Sequence, residues 1–266
     1  MLGFWQTIGL GAVAGFTIFL GLPIARLRHS TVKIQSLLNA LALGVLLFLI
    51  WDILSKALEP IADALKAGAK SGQWGPFTSL ATMLILGLIA GLIGLVVFDD
   101  AQRRKRAVTT PLPEQLALMI ATGLGLHNFS EGLAIGQAAS TGAVALAALL
   151  IVGFGLHNIT EGFAIAAPLA GTGTLGTKAP SWGFLTVAGL IGGGPTFLGT
   201  VIGYRAASPL AFVLFLALAA GALIYIIGEM FAVGRRLQAP IWAASGIAAG
   251  FLLAYGTDLI LTMGGV

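Results

Sequence analysis

Cysteine is absent from this sequence. Its absence excludes a disulfide frame and any thiolate site, and it leaves the redox compartment unmarked. Methionine is present but not clustered, so a dedicated copper(I) path has no ligands to run on. Charge is also scarce. Asp, Glu, Lys and Arg make up 9% of the 266 residues, against roughly 25% in a soluble domain. A chain that is 58% hydrophobic, with mean hydropathy +0.99, cannot cover a water-facing surface with so few charges. It reads as an integral membrane protein whose first partner is the lipid bilayer. The net charge of +4 is too small to point to nucleic acid.

What is present is a series of long apolar runs. A spanning helix needs about 20 such residues. Eight runs qualify, at roughly 3–25, 37–55, 79–98, 115–137, 142–168, 183–204, 210–231 and 240–262. They are continuous, where barrel strands would be short and alternating. The reading is an all-α membrane protein of eight transmembrane helices, a single domain over 1–266. Putting both termini outside leaves ten of the fourteen Lys and Arg in inside loops, including Arg103, Arg104, Lys105 and Arg106, as the positive-inside rule favours. The first run has no basic residue before it and several after it. It therefore reads as a retained span and not as a cleaved leader. Between the second and third runs, "PIADALKAGAK" is expected to form a short amphipathic surface helix. "AGTGTLGTKAP" is expected to be a flexible inside connection.

Most acids fall near the ends of runs. Asp99, Asp100, Glu114, Glu59 and Asp63 read as solvated interfacial charges, and Glu229 and Asp258 as interfacial or ion-paired. His29 reads as solvated in a basic loop. Glu131 and Glu161 are different, because each has long apolar stretches on both sides. A charge there costs a few kcal/mol on insertion scales, so it marks a functional site by default. Each belongs to a repeated motif, "GLHNFSEGLAIG" from Gly125 and "GLHNITEGFAIA" from Gly155. His127 and Glu131 are four apart, as are His157 and Glu161, so each pair shares a helix face. Asn128 and Asn158 flank the same faces. Consecutive spans are antiparallel, so the two faces can meet at one depth. Together they offer two imidazoles, two carboxylates and two amide oxygens, a set that suits a divalent cation such as zinc. Ser130 and Thr160 precede the Glu residues and can bond back to a carbonyl one turn earlier or support the Glu. Pro195, in "LIGGGPTFLGT", is expected to kink the sixth span.

These residues resemble the ZIP family of divalent-metal transporters, within it the prokaryotic GufA-like branch. The resemblance runs over essentially the whole chain and is carried by "HNFSEG" and "HNITEG", set against a family pattern of His-Asn-x-Pro-Glu/Asp-Gly. It implies a 3+2+3 arrangement, with spans 1–3 and 6–8 related by an inverted repeat around spans 4 and 5. It implies a midplane metal site made by His127, Asn128, Glu131, His157, Asn158 and Glu161. The stretch "DILSKALE" matches more weakly and places Asp52 where the family often has a His near the outer mouth. Asp52 then reads either as an entry ligand or as a partner of Lys56 one turn on. Two departures stand out. The motif prolines are replaced by Ser130 and Thr160, and "GGGPT" in span six lacks the carboxylate that completes a second metal in some relatives.

The expectation is a transporter, and not an enzyme, carrying a divalent transition-metal ion across the cytoplasmic membrane. The resemblance implies inward movement. Zinc comes first, with cadmium, iron, manganese and cobalt open. The metal is cargo and no catalytic cofactor is expected. Glu131 or Glu161 is expected to take up a proton as metal leaves. Two rivals use the same residues, a membrane metalloenzyme and a metal-binding sensor. "HExxH" is absent and no nucleophile stands out. Oligomeric state, a homodimer included, is open.

Overall fold

The computed structural model describes residues 2–26, 31–106, 112–170, 179–206 and 208–263. His29 and most of "AGTGTLGTKAP" lie outside them. The described residues form eight long helical segments. We number them α1 (Phe4–Arg26), α2 (Val32–Ser71), α3 (Gly75–Arg106), α4 (Pro113–Ser140), α5 (Val144–Ala166), α6 (Trp182–Arg205), α7 (Pro209–Arg236) and α8 (Pro240–Met263). Seven are long and apolar enough to cross a membrane. The exception is α4, which is long enough at 28 residues but is diluted by His127, Asn128, Ser130 and Glu131. The chain is a multi-pass membrane protein by helix length and hydropathy.

The second span differs most from its expected bounds. Instead of a span, a loop and a surface helix, α2 runs unbroken for 40 residues, through Pro60, to Ser71. At 1.5 Å per residue it is about 60 Å long, twice the hydrocarbon thickness. Its C-terminal half is rich in Ala, Leu and Lys, strong helix formers that outweigh one proline. It stops at Gly72, whose φ of 73° only glycine adopts freely, with the Gly72 N–H donating to Gly68 O at 2.8 Å. At the other end of the bundle, α3 continues through Arg103–Arg106, so that basic stretch is helix and not loop. The first span is broken instead. An α-helix ends at Phe16, a short turn covers Ile18–Gly21, and a 3₁₀ segment follows from Leu22 to Arg26. Thr17 sits at the break with its hydroxyl 2.7 Å from Ala14 O and 2.6 Å from Gly155 O on α5.

Small residues decide which helices touch. A Cβ on Gly132 or Gly136 of α4 would run into the α6 backbone at Thr196 and Thr200, and one on Gly199 or Gly203 of α6 into Phe129 and Leu133 of α4. Gly162 of α5 meets Ile18 and Gly21 of α1 in the same way. Gly44 and Gly250 seat α2 against α8, and Gly91 and Gly221 seat α3 against α7. Such close backbone approach is how helices gain dispersion contact where lipid removes the hydrophobic driving force. The largest apolar cluster joins Leu46, Leu49 and Ile53 of α2 to Leu116, Ile120 and Leu124 of α4 and to Leu223 of α7. Helices α3 and α8 lie at the edge, with only 17% of the residues in their most apolar stretches buried. Their exposed Ile85, Leu86, Ile89 and Leu252 face where lipid would be.

Gly250→Ala is expected to destabilise the fold by about 1–3 kcal/mol, because the added methyl overpacks against Leu41 backbone. Gly94→Ala, with open space around it, should not. Thermal unfolding in detergent compares the two.

Candidate metal centre

Both copies of the repeated motif lie in unbroken helix, the first on α4 and the second on α5. Their six polar residues are all buried, and His127, Asn128, Asn158 and Glu161 have no exposed surface at all. The four-residue spacing acts as expected within each helix. His127 Nε2 lies 3.2 Å from Glu131 Oε1, and His157 Nε2 lies 3.9 Å from Glu161 Oε1. The two helices also meet. The imidazole rings stand with centroids 6.2 Å apart, tilted by 65°. One ligand atom from each of His127, His157 and Glu161 lies within 4.8 Å of the other two. This trio can hold a metal ion. Glu131 stands beside it, against His127.

The asparagines tie the centre to the helices around it. Asn128 Nδ2 is 2.7 Å from Asn158 Oδ1, 2.7 Å from Glu161 Oε2 and 3.0 Å from Gly192 O on α6. Asn158 Nδ2 donates to Ala14 O on α1 at 3.1 Å. The amide of Asn128 thus orients Glu161 by one oxygen and leaves the other, Oε1, toward His157. Thr160 bonds back to His157 O at 2.7 Å, which fixes its hydroxyl within its own helix. Ser130 does not do the same, and its buried Oγ has no hydrogen-bond partner among the described residues.

Thr257 of α8 stands behind the His157 ring. Its hydroxyl donates to Ala254 O at 2.7 Å and lies 3.4 Å from His157 Nδ1. With its proton directed to Ala254 O, the Thr257 oxygen can accept from a protonated Nδ1. In that tautomer His157 Nε2 keeps its lone pair, as a metal ligand requires. Sequence reasoning missed Thr257. A lone threonine in an apolar span carries no motif, and only the crossing of α8 over α5 brings it to the ring.

Among the described residues several buried polar atoms lack hydrogen-bond partners, and most of them gather here. They include His127 Nδ1 and Nε2, His157 Nε2, Glu131 Oε2, Glu161 Oε1 and Asn128 Oδ1. Each unsatisfied buried group costs about 1–3 kcal/mol, more if charged. Imidazole nitrogens and carboxylate oxygens are the donor set of a zinc-type ion, so the residues present fit such a guest.

A cavity of about 650 Å³ leads to the centre from one side. Its walls include the exposed Glu59 and Asp63 at one end and the buried His127, Ser130 and Glu131 at the other. His157 and Glu161 are not part of the wall. Asp52 lines the cavity too, and its Oδ2 is 2.8 Å from Lys56 Nζ. Asp52 is thus ion-paired with Lys56, as one of its two readings had it, and it also lines the cavity. Asp258 is 3.9 Å from the same amino group.

Asp99 is a correction. It was expected to be a solvated charge beside the basic stretch, yet it is fully buried. Its Oδ1 accepts from Gln115 of α4 at 2.6 Å, and its Oδ2 accepts from Arg103 and from Tyr225 of α7. Arg103 also pairs with Glu229 at 2.8 Å. The extension of α3 past the expected span end is what carries Arg103 into this cluster.

No family model matches the chain, and no curated protein matches its sequence. The likeness to ZIP transporters therefore rests on the two motifs and on the donor set they bring together.

Thr257→Val is expected to weaken zinc affinity by about tenfold or more, the usual effect of losing a partner behind a ligating His. Thr257→Ser should keep it. Chelator competition on the purified protein measures both.

Proposed function

We propose that this protein is a ZIP-type transporter of divalent transition-metal ions, zinc foremost, with His127, His157, Glu131 and Glu161 as the ligands of the transported ion. The carrying observation is the set of imidazole and carboxylate atoms without hydrogen-bond partners among the described residues, buried at mid-helix at the end of a cavity whose other end is lined by exposed Glu59 and Asp63. Asn128 and Asn158 hold the centre together, and Asn128 Oδ1 is the amide oxygen free to join the ligands.

Access by this cavity supports carriage over mere binding. Along α4, Ala134 and Gln137 line the cavity, and Glu131 and His127 form its floor. Leu124, Ile120 and Leu116 then belong to the largest apolar cluster, and Gln115 joins the Asp99 network. Gln115 and His127 are twelve residues apart, about 18 Å along a helix. The cavity ends at the centre, and an apolar stretch followed by a polar cluster continues beyond it. A carrier in one of its two states has this form. By the distribution of Lys and Arg, the open side is the outside and the Asp99 cluster lies toward the cytoplasm, which puts both termini outside.

The helix pairings support the inverted repeat. Helix α4 packs on α6 through glycines as α5 packs on α1, and α2 packs on α8 as α3 packs on α7. Exchanging α1–α3 with α6–α8, and α4 with α5, maps this set of contacts onto itself. An enzyme has no need of that symmetry. The dication's charge would be balanced by Glu131 and Glu161, and its water replaced by the His and Glu ligands.

Zinc flux into sealed proteoliposomes tests this. Wild-type protein is expected to carry metal, and a Glu131→Ala/Glu161→Ala double variant is expected to fall to the rate of empty vesicles. Equal flux through both would overturn the reading. Tight binding without flux would assign the centre to a sensor or an enzyme.

A further inference from the structure

The approach to the centre already holds a cation. Lys56 stands on α2, one turn beyond Asp52. Its Nζ is 2.8 Å from Asp52 Oδ2, 3.9 Å from Asp258 Oδ1 on α8 and 5.7 Å from the centre of the Phe154 ring on α5. The two carboxylates are well shielded, with side chains 7% and 17% exposed, while the lysine is 33% exposed. All three residues line the same cavity as His127 and Glu131. An ion on its way to the centre therefore meets two carboxylates whose charge an ammonium group is using.

We propose that Lys56 is a tethered cation that holds Asp52 and Asp258 until a divalent ion displaces it, and that it thereby determines which ions reach the buried centre. This rests on the transport reading above. A monovalent ion offers the carboxylates one charge, which the tethered amine already supplies at high effective concentration. A divalent ion offers twice the Coulomb attraction at the same distance. Lys56 thus rejects sodium and potassium without a size filter. The displaced amine also has somewhere to go. On a helix the neighbours of position i are i−4 and i+3. For Lys56 these are Asp52, toward the centre, and Glu59, toward the mouth. Glu59 lines the cavity and forms no ion pair among the described residues. The flexible four-carbon stem lets the amine move from the inner carboxylate to the outer one.

Two measurements on the purified full-length protein test this, with Cd²⁺ as the probe. By calorimetry, Lys56→Gln is expected to bind Cd²⁺ on the order of tenfold more tightly and to become sensitive to competing Na⁺, while Lys56→Arg stays near wild type. In wild-type protein, labelling of Lys56 by an amine-reactive reagent, read by mass spectrometry, is expected to rise when Cd²⁺ is added. If Lys56→Gln matches wild type in affinity and Na⁺ response, or if labelling is unchanged while Cd²⁺ binds, the lysine proposal is overturned and the metal centre stands. Should Lys56→Gln fail to fold, the labelling of the wild-type protein decides alone. Failure of wild-type protein to bind Cd²⁺, or binding that survives in His157→Ala/Glu161→Ala, would overturn the centre and this proposal with it.

Discussion

Polar groups buried at the level of the lipid tails can be satisfied only by protein or by water admitted through it. The two amides of the centre meet that condition here through neighbouring backbone. Asn128 reaches Gly192 O, and Asn158 reaches Ala14 O. Both carbonyls lie at one place, where α1 crosses α6. There a Cβ on Gly15 would strike Gly193 O, and one on Gly193 would strike Gly15 O. Any larger residue would part the helices and carry those acceptors out of reach. The glycine content of the chain is thus tied directly to the centre. It permits the approach that supplies the amides with acceptors, and the amides in turn hold Glu161.

The sequence showed the number of helices and the pairing of the motifs, because both depend on local pattern. Apolar runs of span length can only be helices in lipid, and a four-residue spacing sets two side chains on one face whatever surrounds them. Features that depend on how helices cross were not legible. The stretch "PIADALKAGAK" was expected to be a separate surface helix, but the Ala- and Lys-rich turns around Pro60 keep it continuous with α2. Asp99 looked interfacial because Arg103 follows one turn later. The pair is instead drawn inward by Gln115 and Tyr225, which come from two other helices. Thr257 and the acceptor carbonyls of Ala14 and Gly192 carry no mark in the sequence.

Charge is distributed by depth in a way that composition alone hides. Some ionised groups are exposed at helix ends, such as Asp100 with Arg104, but two sets are gathered inside. One set, Asp52, Lys56 and Asp258, lines the cavity. Another, Asp99, Arg103 and Glu229, closes the opposite side. The apolar layer of Leu116, Ile120 and Leu124 separates the second set from the centre. Each set contains one cation shared by two carboxylates, which offsets part of their charge and lowers the cost of shielding them from water. The centre is the exception. Among the described residues it has carboxylates and imidazoles but no fixed cation, an imbalance that a metal ion can correct.

The two halves of the centre are alike in sequence and unlike in surroundings. His127, Ser130 and Glu131 form the floor of the cavity, whereas His157, Thr160 and Glu161 lie away from it. The hydroxyls follow the same division. Thr160 is turned back onto His157 O, while Ser130 is unpartnered and lines the cavity wall. Neither helix needs a proline at this position to bring its Glu to the centre, since both run unbroken through the motif. If the transport reading proposed above holds, a second state related by an inverted repeat would reverse the assignment, with Glu161 and His157 facing the opening and Glu131 and His127 closed off. A duplicated motif would suit that task better than a single richer one, because each copy would be the exposed half in one state and the buried half in the other.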